Sequence, residues 1–531
     1  MKESIAWVDE SLTHLQARLG ACAPTIKLDA LSGGSFAPSW TEPWLGAGLV
    51  GLWLRWRTGR GRARRVVVGE PDARLTPAAG VEAVRELNRA LGIAATISDR
   101  VDAVAPLKQR RRGLDGGELL VSMACAQLAG VDFMSGLDRR RADAAGQELE
   151  PVPTPASGTA AGIAKRFTVE HLLAVEEAIG AINTEWVSRL PALRRAVLLR
   201  QATIDGDATD VEVYGRTKDD AAHAYTGALT IRNHIGFWAE AGVPLAAESM
   251  NGTGDPRSNC VEVLHRALRA LPDGVQQVRT RWDAGYFAAD LATACLAQGV
   301  QFAIGAKRTK PLVAAAQHVP DHQWVPAVGM IDTEVAVVPY LPGSWPHDAG
   351  ITCVARRTRI PVEHLPHGRA RKRRTIPEGQ YQLALQGRID AVYGYSFFLT
   401  DMLPEQAEQP DQAGLRLAEL EWWYRHRTDI EALNKDAKHG AAMRHMPSAD
   451  RRVNRVWMWA ALLACAMSSW MQELANIDHG NGRGRRTITR LRRELILTPA
   501  RLTRRAGTTQ LRLPPGPQLL AVVLPRLQSL P

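Results

Sequence analysis

A phenol, a guanidinium, a carboxylate and an ammonium recur at helical spacing in the stretch Glu419 to Gly440. They belong to Tyr424, Arg427, Glu431 and Lys438. At about 100° per residue, these side chains fall within about 60° of one another on one face of a helix. The carboxylate of such a row binds a metal ion, while its neighbours bind phosphate oxygens. A solvated helix crossed by salt bridges produces the same pattern. Alone, the row leaves both interpretations open.

Acidic residues upstream strengthen the first interpretation. Asp205 and Asp207 lie two apart in a predicted strand, so both point to the same face, and Asp283 ends a later predicted strand. Chemistry on phosphodiesters needs carboxylates that converge on two divalent ions about 4 Å apart. Three carboxylates suffice, because Mg²⁺ keeps waters and takes ligands from its substrate. Any one of these Asp residues is equally explained as a turn or capping residue, but the ordered set with Glu431 favours a metal site.

The elements that must position these residues form an α/β pattern. Helical periodicity extends from Gly113 to about Pro191, and strand patterns begin near Leu198 and then alternate with helices. After residue 307 the alternation gives way to strand-like pieces and a basic loop. That loop contains Arg371, Lys372, Arg373 and Arg374. Such a run is either a solvated loop or a track for a phosphate backbone, and the acidic site nearby favours DNA binding.

Composition is consistent with a polyanionic partner. The chain of 531 residues has 66 Lys and Arg against 55 Asp and Glu, which gives a net charge of +11. Its length predicts two to four structural units. The six cysteines are far apart and form no metal or disulfide motif, which indicates a reducing compartment. The start lacks an apolar signal core. The longest apolar run, Val456 to Trp470, is shorter than a comfortable membrane span and predicts a buried helix.

Three motifs resemble those of bacterial insertion-sequence transposases of the DDE class: "IDGDATDVEVYG", "RWDAGYF" and "YRHRTDIEALNKDAKHG". The last motif has the Y-x2-R-x3-E-x6-K signature of one large transposase group. The segments "GRIDAVYGYSFFLTD" and "HMPSADRRVNRVWMWAALLA" are most similar to the insertion-sequence subfamily numbered thirteen-eighty. The resemblance covers about Gly113 to Leu474.

The resemblance implies an RNase H-like core. In this family the fold is a mixed five-stranded sheet flanked by helices and interrupted by a β-rich insertion, and here an α-helical N-terminal region precedes it. The implied segments are an N-terminal region of unassigned role or DNA contact (1–112), a helical DNA-binding region (113–195), the first part of the core (196–307), the β-rich insertion with its basic loop (308–396), the second part of the core with the glutamate helix (397–475) and a basic C-terminal tail (476–531).

The resemblance also implies roles for the site residues. Asp207, Asp283 and Glu431 are the expected catalytic metal ligands for two Mg²⁺ ions, with Mn²⁺ as a substitute. Asp205 shares the face and is the alternative to Asp207. By similarity, Tyr424, Arg427 and Lys438 hold the phosphate or strand end, although packing beside Trp422 and Trp423 is a competing role for Tyr424. The basic run from Arg371 to Arg374 is expected to contact DNA.

The function implied by the resemblance is that of a DNA transposase. Such an enzyme binds the terminal inverted repeats of its element, cleaves by metal-assisted hydrolysis and joins 3′ ends to target DNA by transesterification. The expected partners are double-stranded DNA, both transposon ends and target, and a second copy of the chain as a homodimer. The expected location is the bacterial cytoplasm, at the nucleoid when bound, without a membrane. Two alternatives remain open: a metal-dependent RNase H-like nuclease without strand transfer, and an inactive transposase-derived DNA-binding protein.

Overall fold

The computed structural model describes residues 66–109, 113–224, 226–403, 410–477 and 484–530. The chain divides into residues 1–71 and a compact unit, residues 72–531. Of the first unit, residues 66–71 are described, and they contain neither helix nor strand. The predicted N-terminal region, 1–112, therefore falls largely outside the described residues.

Helices dominate the compact unit before the sheet begins. After the two-residue strand β1 (Leu75–Thr76) come α1 (Val81–Leu91), α2 (Ile93–Val104), α3 (Gly116–Leu128), α4 (Gly136–Arg141), α5 (Ala144–Gln147), α6 (Ser157–Ala164), α7 (Val169–Ser188) and α8 (Ala192–Arg200). A capping box begins α3, in which Asp115 accepts from the Glu118 N–H at 2.9 Å and Glu118 accepts from the Asp115 N–H. Trp186 of α7 packs edge-on against Trp238 at 6.1 Å between ring centroids, so the helical region shares its core with the sheet.

The sheet is mixed and extends through the insertion. Its strands are β2 (Ala202–Glu212), β3 (Ala222–His223), β4 (Leu229–Trp238), β5 (Val243–Asn251), β6 (Val278–Trp282), β7 (Gln301–Gly305), β8 (Val325–Pro326), β9 (Thr333–Val338), β10 (Thr352–Pro361) and β11 (Ala391–Thr400). The order is β3-β4-β2-β6-β7-β11-β10-β9-β8, and β5 also pairs with β4. The predicted mixed sheet is present, and the insertion strands continue it.

Strand directions bring distant acidic residues together. β4 is antiparallel to both β2 and β5, whereas β6 is parallel to β2 and β7 is parallel to β6. Gly206 pairs with Trp282 in the parallel ladder, so the next residues, Asp207 and Asp283, lie side by side. A Cβ at Gly206 would meet the Trp282 ring at 1.9 Å. Glycine therefore lets the Trp282 ring lie directly on β2 at this position, on the face opposite to Asp205 and Asp207.

Helices alternate with the later strands. They are α9 (Cys260–Arg269), α10 (Ala289–Ala297), α11 (Lys310–Gln317), α12 (Gly368–Arg374) and α13 (Glu378–Leu385). The basic run predicted as a loop is thus the helix α12, and the loop prediction was wrong. Arg371 explains the difference, because its guanidinium pairs with Glu378 and lies over the Tyr381 ring at 4.0 Å.

The last third of the chain returns to the sheet and then to the N-terminal helices. Its elements are α14 (Pro410–Arg425), α15 (Asp429–Lys435), α16 (Arg451–Leu474), α17 (Ile488–Leu491), β12 (Ala500–Arg505), β13 (Thr508–Arg512) and α18 (Leu520–Gln528). The segment predicted as a tail is folded. β12 pairs with β1 and β13, α18 packs on α1, and Ile488, Leu491 and Leu495 are fully buried. Apolar residues between the arginines account for this packing.

The helix α16 lies in the centre of the core and packs against α3 and β5. Trp457, Trp459 and Trp470 are nearly or completely buried along it, as the sequence predicts for this apolar run. Within the described ranges, no helix combines the length and apolar character needed to cross a bilayer. The five cysteines in these ranges are buried and free.

Candidate functional site

Asp207 is at the centre of the site, on β2. Its carboxylate accepts a hydrogen bond from Asn434 Nδ2 at 2.8 Å, and Arg427 Nη1 lies 3.7 Å from its Oδ1. The side chain is 19% exposed, so solvent reaches it although most of it is covered. Asp207 therefore has one oxygen that is hydrogen-bonded and another near a cation, at an accessible position.

Asp205 occupies a different environment two residues earlier on β2. Its side chain is fully buried, and both carboxylate oxygens accept from Arg281 of β6 at 2.6 Å. Burial raises the pKa of Asp205 to about 6, and the Arg281 guanidinium opposes that rise. Arg281 also donates to the Trp423 carbonyl oxygen at 2.6 Å. Asp205 thus belongs to a link between β2, β6 and α14, and both of its oxygens are already occupied.

Asp283 and Glu431 lie close enough to Asp207 to affect its ionisation. Burial is the largest cause that raises the pKa of Asp207 to about 6; Arg427 opposes it, and the negative charges of Asp283 and Glu431 raise it further. Asp283 follows β6 and caps the turn Ala284–Tyr286, where its Oδ1 accepts from the Gly285 N–H at 2.9 Å. Glu431 is exposed on α15, which packs on β2. The three carboxylates predicted from the sequence therefore lie in one electrostatic neighbourhood.

The stretch Glu419 to Gly440 is helical but is not one regular α-helix. A 3-10 turn, His426–Thr428, separates α14 from α15, and a π turn, Asp436–Gly440, follows α15. These turns change the rotation per residue from that of an α-helix. The predicted regular spacing of 100° per residue was therefore wrong, although all four side chains lie near Asp207 or Asp283.

Tyr424 packs under the sheet. Its ring stacks on Phe398 at 4.4 Å between centroids, and its hydroxyl donates to the Trp282 carbonyl oxygen at 3.2 Å. Burial raises the pKa of Tyr424 to about 12. A Cβ at Gly305 would meet the Tyr424 hydroxyl at 2.7 Å and the Ala284 nitrogen at 2.6 Å, so only glycine fits there. These contacts agree with the packing alternative for Tyr424.

Arg427 and Lys438 differ in whether they have an unused hydrogen-bond donor. Arg427 Nη1 is buried and has no hydrogen-bond partner within the described residues, although Asp207 and Asp283 both stabilise its charge. Lys438 Nζ donates to the Asp210 carbonyl oxygen at 2.6 Å, and burial lowers its pKa. Arg427 thus has unused hydrogen-bonding capacity beside the carboxylates, whereas Lys438 attaches the π turn to β2.

The basic residues predicted to contact DNA lie on α12, in the insertion. Arg373 and Arg374 line a cavity on the β10–β11 surface, Lys372 is exposed, and Arg371 is engaged by Glu378 and Tyr381. The structure does not bring these four residues together with Asp207.

Asn434 was missed in the sequence. It is three residues after Glu431 and therefore on the same side of α15, which is the one signal that could have identified it. Its side chain is 5% exposed, and its Oδ1 has no donor in the part of the chain described here. A buried amide oxygen without a donor next to carboxylates is available to a cation or its water ligands.

The donor set fits a hard divalent cation. Carboxylate and amide oxygens are the ligands that Mg²⁺ and Mn²⁺ prefer. Across the described residues, no group of three or more His, Cys, Asp and Glu side chains is close enough to hold a metal ion as positioned. Arg427 supplies the neighbouring positive charge instead. The type of donor fits the ion, while the full ligand set is not assembled.

Residues 59–365 match the model of the family described as transposase DDE domain group 1. This range includes Asp207 and Asp283 and ends before Glu431. Among solved structures, a piggyBac transposase synaptic complex with hairpin DNA, determined by cryo-EM, is 9% identical over 78% of this chain and 79% of that chain, with a TM-score of 0.37. A similarity this low carries no information about the site. Among curated protein sequences, none is similar enough to be a match.

Proposed function

Because the chain belongs to the transposase DDE domain group 1 family, we propose that it is a DNA transposase that cuts the ends of its own element and joins them to target DNA. The observation that carries the proposal is the proximity of Asp283, at the end of β6, and Glu431, on α15, to Asp207 of β2, whose pKa their negative charges help to raise. Like charges at this proximity are costly unless a cation offsets them. Metal binding would remove that cost.

In this proposal Asp207, Asp283 and Glu431 hold two Mg²⁺ ions, for which Mn²⁺ can substitute. The ions would supply an activated water or 3′-hydroxyl and stabilise the leaving oxygen. Asn434 orients Asp207 through its 2.8 Å hydrogen bond. Arg427, whose buried Nη1 has no hydrogen-bond partner in the described ranges, binds an oxygen of the reacting phosphate. Asp205 is not a ligand but keeps β2 in place through Arg281.

We further propose that β5-β4-β2-β6-β7 form an RNase H-like core. The order and directions of these five strands, with β2 central and β6 and β7 parallel to it, support this assignment. The insertion-sequence origin, the thirteen-eighty subfamily, the bacterial cytoplasmic location and the homodimer on DNA are proposals too. A dimer follows from the need to hold two element ends together, and the net charge of +11 suits DNA as the partner.

The test is a strand-transfer assay with Mg²⁺, the full-length protein, labelled DNA carrying the ends of its element, and a target plasmid. Joined product supports a transposase; cleavage without joining indicates a nuclease; binding without cleavage indicates an inactive DNA-binding protein. Glu431→Gln should abolish both cleavage and joining and leave binding of the ends intact. Cleavage by that variant would contradict the site assignment.

A matched control comes from the same helical segment. Glu419→Gln makes the identical chemical change at an exposed position of α14. It should cleave and join as the unmodified protein does. Equal loss of cleavage in both variants would indicate a general effect of helix charge on DNA binding and would contradict a specific role for Glu431.

A further inference from the structure

A cavity of about 170 Å³ lies on the surface of β10 and β11, beside the end of α12. We call it the arginine cavity, after four of its lining residues: Arg308, Arg356, Arg373 and Arg374. Thr358 and Ser396 add hydroxyl groups. At about 30 Å³ per liquid water, the space corresponds to about six waters, which is enough for one tetrahedral oxyanion.

Three parts of the fold bring the arginines together. Arg356 of β10 pairs directly with Ser396 of β11. Arg308 follows the end of β7 and donates from Nη1 to the Arg373 carbonyl oxygen, which joins the β7 exit to α12. A Cβ at Gly394 would be 2.8 Å from the Arg374 carbonyl oxygen, so glycine permits α12 to lie on the sheet. The cavity is therefore built from elements that also support one another.

Positive charge in the cavity exceeds its local negative charge. Arg356 pairs with the buried Glu421 at 2.5 Å. For Arg308, Arg373 and Arg374, the described residues provide no ion pair with a carboxylate. Burial lowers the pKa of Arg308, and the neighbouring charge of Arg356 lowers it further. Guanidinium groups that have no carboxylate partner can bind an oxyanion through paired N–H donors.

The cavity is also near the candidate site. Gly305, at the end of β7, approaches Asp283 and the Tyr424 hydroxyl so closely that a Cβ there would lie within 2.9 Å of the Asp283 carbonyl carbon. Arg308 is three residues further along, and three extended residues span at most about 10 Å. With a rise of 3.4 Å per nucleotide along the duplex, that distance corresponds to about three nucleotides.

We propose that the arginine cavity binds one backbone phosphate of the DNA strand that enters the carboxylate site, a few nucleotides from the bond that is cut. This inference rests on the proposed transposase function. It adds Arg308, Arg356, Thr358 and Ser396 to the DNA-binding surface and assigns them a single phosphate. Arg371 is outside this contact, because Glu378 and Tyr381 already engage it.

The test uses labelled element-end DNA in which one phosphate at a time is replaced by an uncharged methylphosphonate. For the unmodified protein, replacement at one position near the cleavage site should weaken binding about ten- to hundred-fold, the range for a charge-assisted hydrogen bond. In Arg308→Gln and in Arg374→Gln, binding should already be weaker by a similar factor. In these variants, replacement of that same phosphate should have little further effect on binding. Replacement of any other phosphate should weaken binding as much as it does for the unmodified protein.

Arg388→Gln is the matched control, because Arg388 is exposed in the same insertion and does not line the cavity. It removes the same charge and should leave the methylphosphonate pattern unchanged. Arg356 is left intact, since its loss would remove the 2.5 Å partner of the buried Glu421 and leave only the longer contact with Arg425. Thermal melting checks that each variant is folded. An unchanged pattern in Arg308→Gln and Arg374→Gln, or a uniform weakening equal to that of Arg388→Gln, would overturn the proposal.

Three further outcomes distinguish a failure of the phosphate contact from a failure of the transposase proposal. If the position-specific effect is found but Mg²⁺ produces no cleavage or joining, the transposase proposal fails and the phosphate contact stands. If the unmodified protein does not bind the ends, both fail. If inorganic phosphate stabilises the unmodified protein and not Arg374→Gln, while the methylphosphonate pattern is the same in both, the cavity is a site for free phosphate and the DNA assignment is overturned.

Discussion

Removing the Asp205–Arg281 pair tests which aspartate of β2 is a metal ligand. The pair is buried, with side-chain exposures of 0% and 4%, and is joined by two hydrogen bonds of 2.6 Å. Asp205→Leu alone leaves the Arg281 charge unpaired in the core, which costs about 3–5 kcal/mol of the free energy of unfolding. With about 2.1 cal/mol/K of unfolding entropy per residue over residues 72–531, that loss lowers Tm by about 3–5 °C.

The double variant Asp205→Leu with Arg281→Met should recover part of this loss. Replacing both members of a buried pair by apolar groups is often neutral. Arg281 also donates to the Trp423 carbonyl oxygen at 2.6 Å, so the double variant leaves that acceptor unsatisfied, at about 1–3 kcal/mol. Its Tm should therefore lie between those of the single variant and the unmodified protein.

The decisive comparison is that of the Mn²⁺ affinities of these variants. They are measured by electron paramagnetic resonance, with Mg²⁺ as competitor. The double variant should bind Mn²⁺ with an affinity close to that of the unmodified protein, because Asp205 only positions β2. Asp207→Asn should lose Mn²⁺ binding with little change in Tm, since it removes a carboxylate that Asp283 and Glu431 repel. A folded double variant whose Mn²⁺ affinity falls as far as that of Asp207→Asn would refute this division of roles.

Further substitutions test the supports of the site. Tyr424→Phe keeps the stack on Phe398 and loses the hydrogen bond to the Trp282 carbonyl oxygen. Chemical denaturation should show that the free energy of unfolding falls by about 1 kcal/mol. Weaker DNA binding without that loss of stability would favour the phosphate-binding role of Tyr424. Gly305→Ala should lower Tm and weaken Mn²⁺ binding, because its Cβ meets Ala284 and Tyr424; Gly158→Ala, whose Cβ meets nothing within 4 Å on α6, should do neither. For Glu176, burial raises the pKa from 4.5 to about 7. Protonation therefore stabilises the fold fully below about pH 4.5, and that contribution is lost as pH rises to about 7. In urea unfolding, the free energy of the unmodified protein should fall relative to Glu176→Gln by up to about 1.4 kcal/mol per pH unit in this window; parallel pH profiles would contradict this.

The sequence predicted the parts of the site that depend on local pattern and order. Strand alternation and strand ends indicated Asp283 and the pair Asp205 and Asp207, and the family resemblance selected Asp207. The parallel pairing of β2 with β6 brings Asp207 and Asp283 side by side. Glu431 follows from its place on a polar helical stretch. These features depend on hydrophobic periodicity, which a sequence displays directly. The pairing of Asp205 with Arg281 is not visible, because two aspartates on one face are equivalent until a neighbouring strand supplies a partner.

Tertiary contacts determine what the sequence did not predict. The π turn Asp436–Gly440 is held by a residue 52 positions later in the chain. The Asp436 carboxylate accepts from the Ile488 N–H, at 2.9 and 3.0 Å to its two oxygens. Arg492 donates to the Gly440 carbonyl oxygen at the end of the same turn. Both partners belong to the segment predicted as a tail. Because the pitch of the late helix depends on that segment, regular 100° spacing could not describe it.

The connection between β7 and α14 explains how a long insertion leaves Glu431 in place. The insertion begins after Gly305 and ends along β11, where Phe398 pairs with Gly305 itself. The ends of the insertion are therefore neighbours in one ladder, and Asp401 fixes the return by accepting from the Phe302 N–H at 2.8 Å. Closing a loop at adjacent ends costs free energy that grows slowly with its length. The helix that begins after β11 is held against β6 by Tyr424 and by Arg281. It also packs on the insertion strands β8 and β9, so the insertion itself helps to position this helix. The same closure places Arg308 and Ser396, at the exit and return of the insertion, in one cavity. In the proposed function, an insertion arranged in this way would add DNA-binding surface next to the reacting phosphate without displacing the proposed metal ligands.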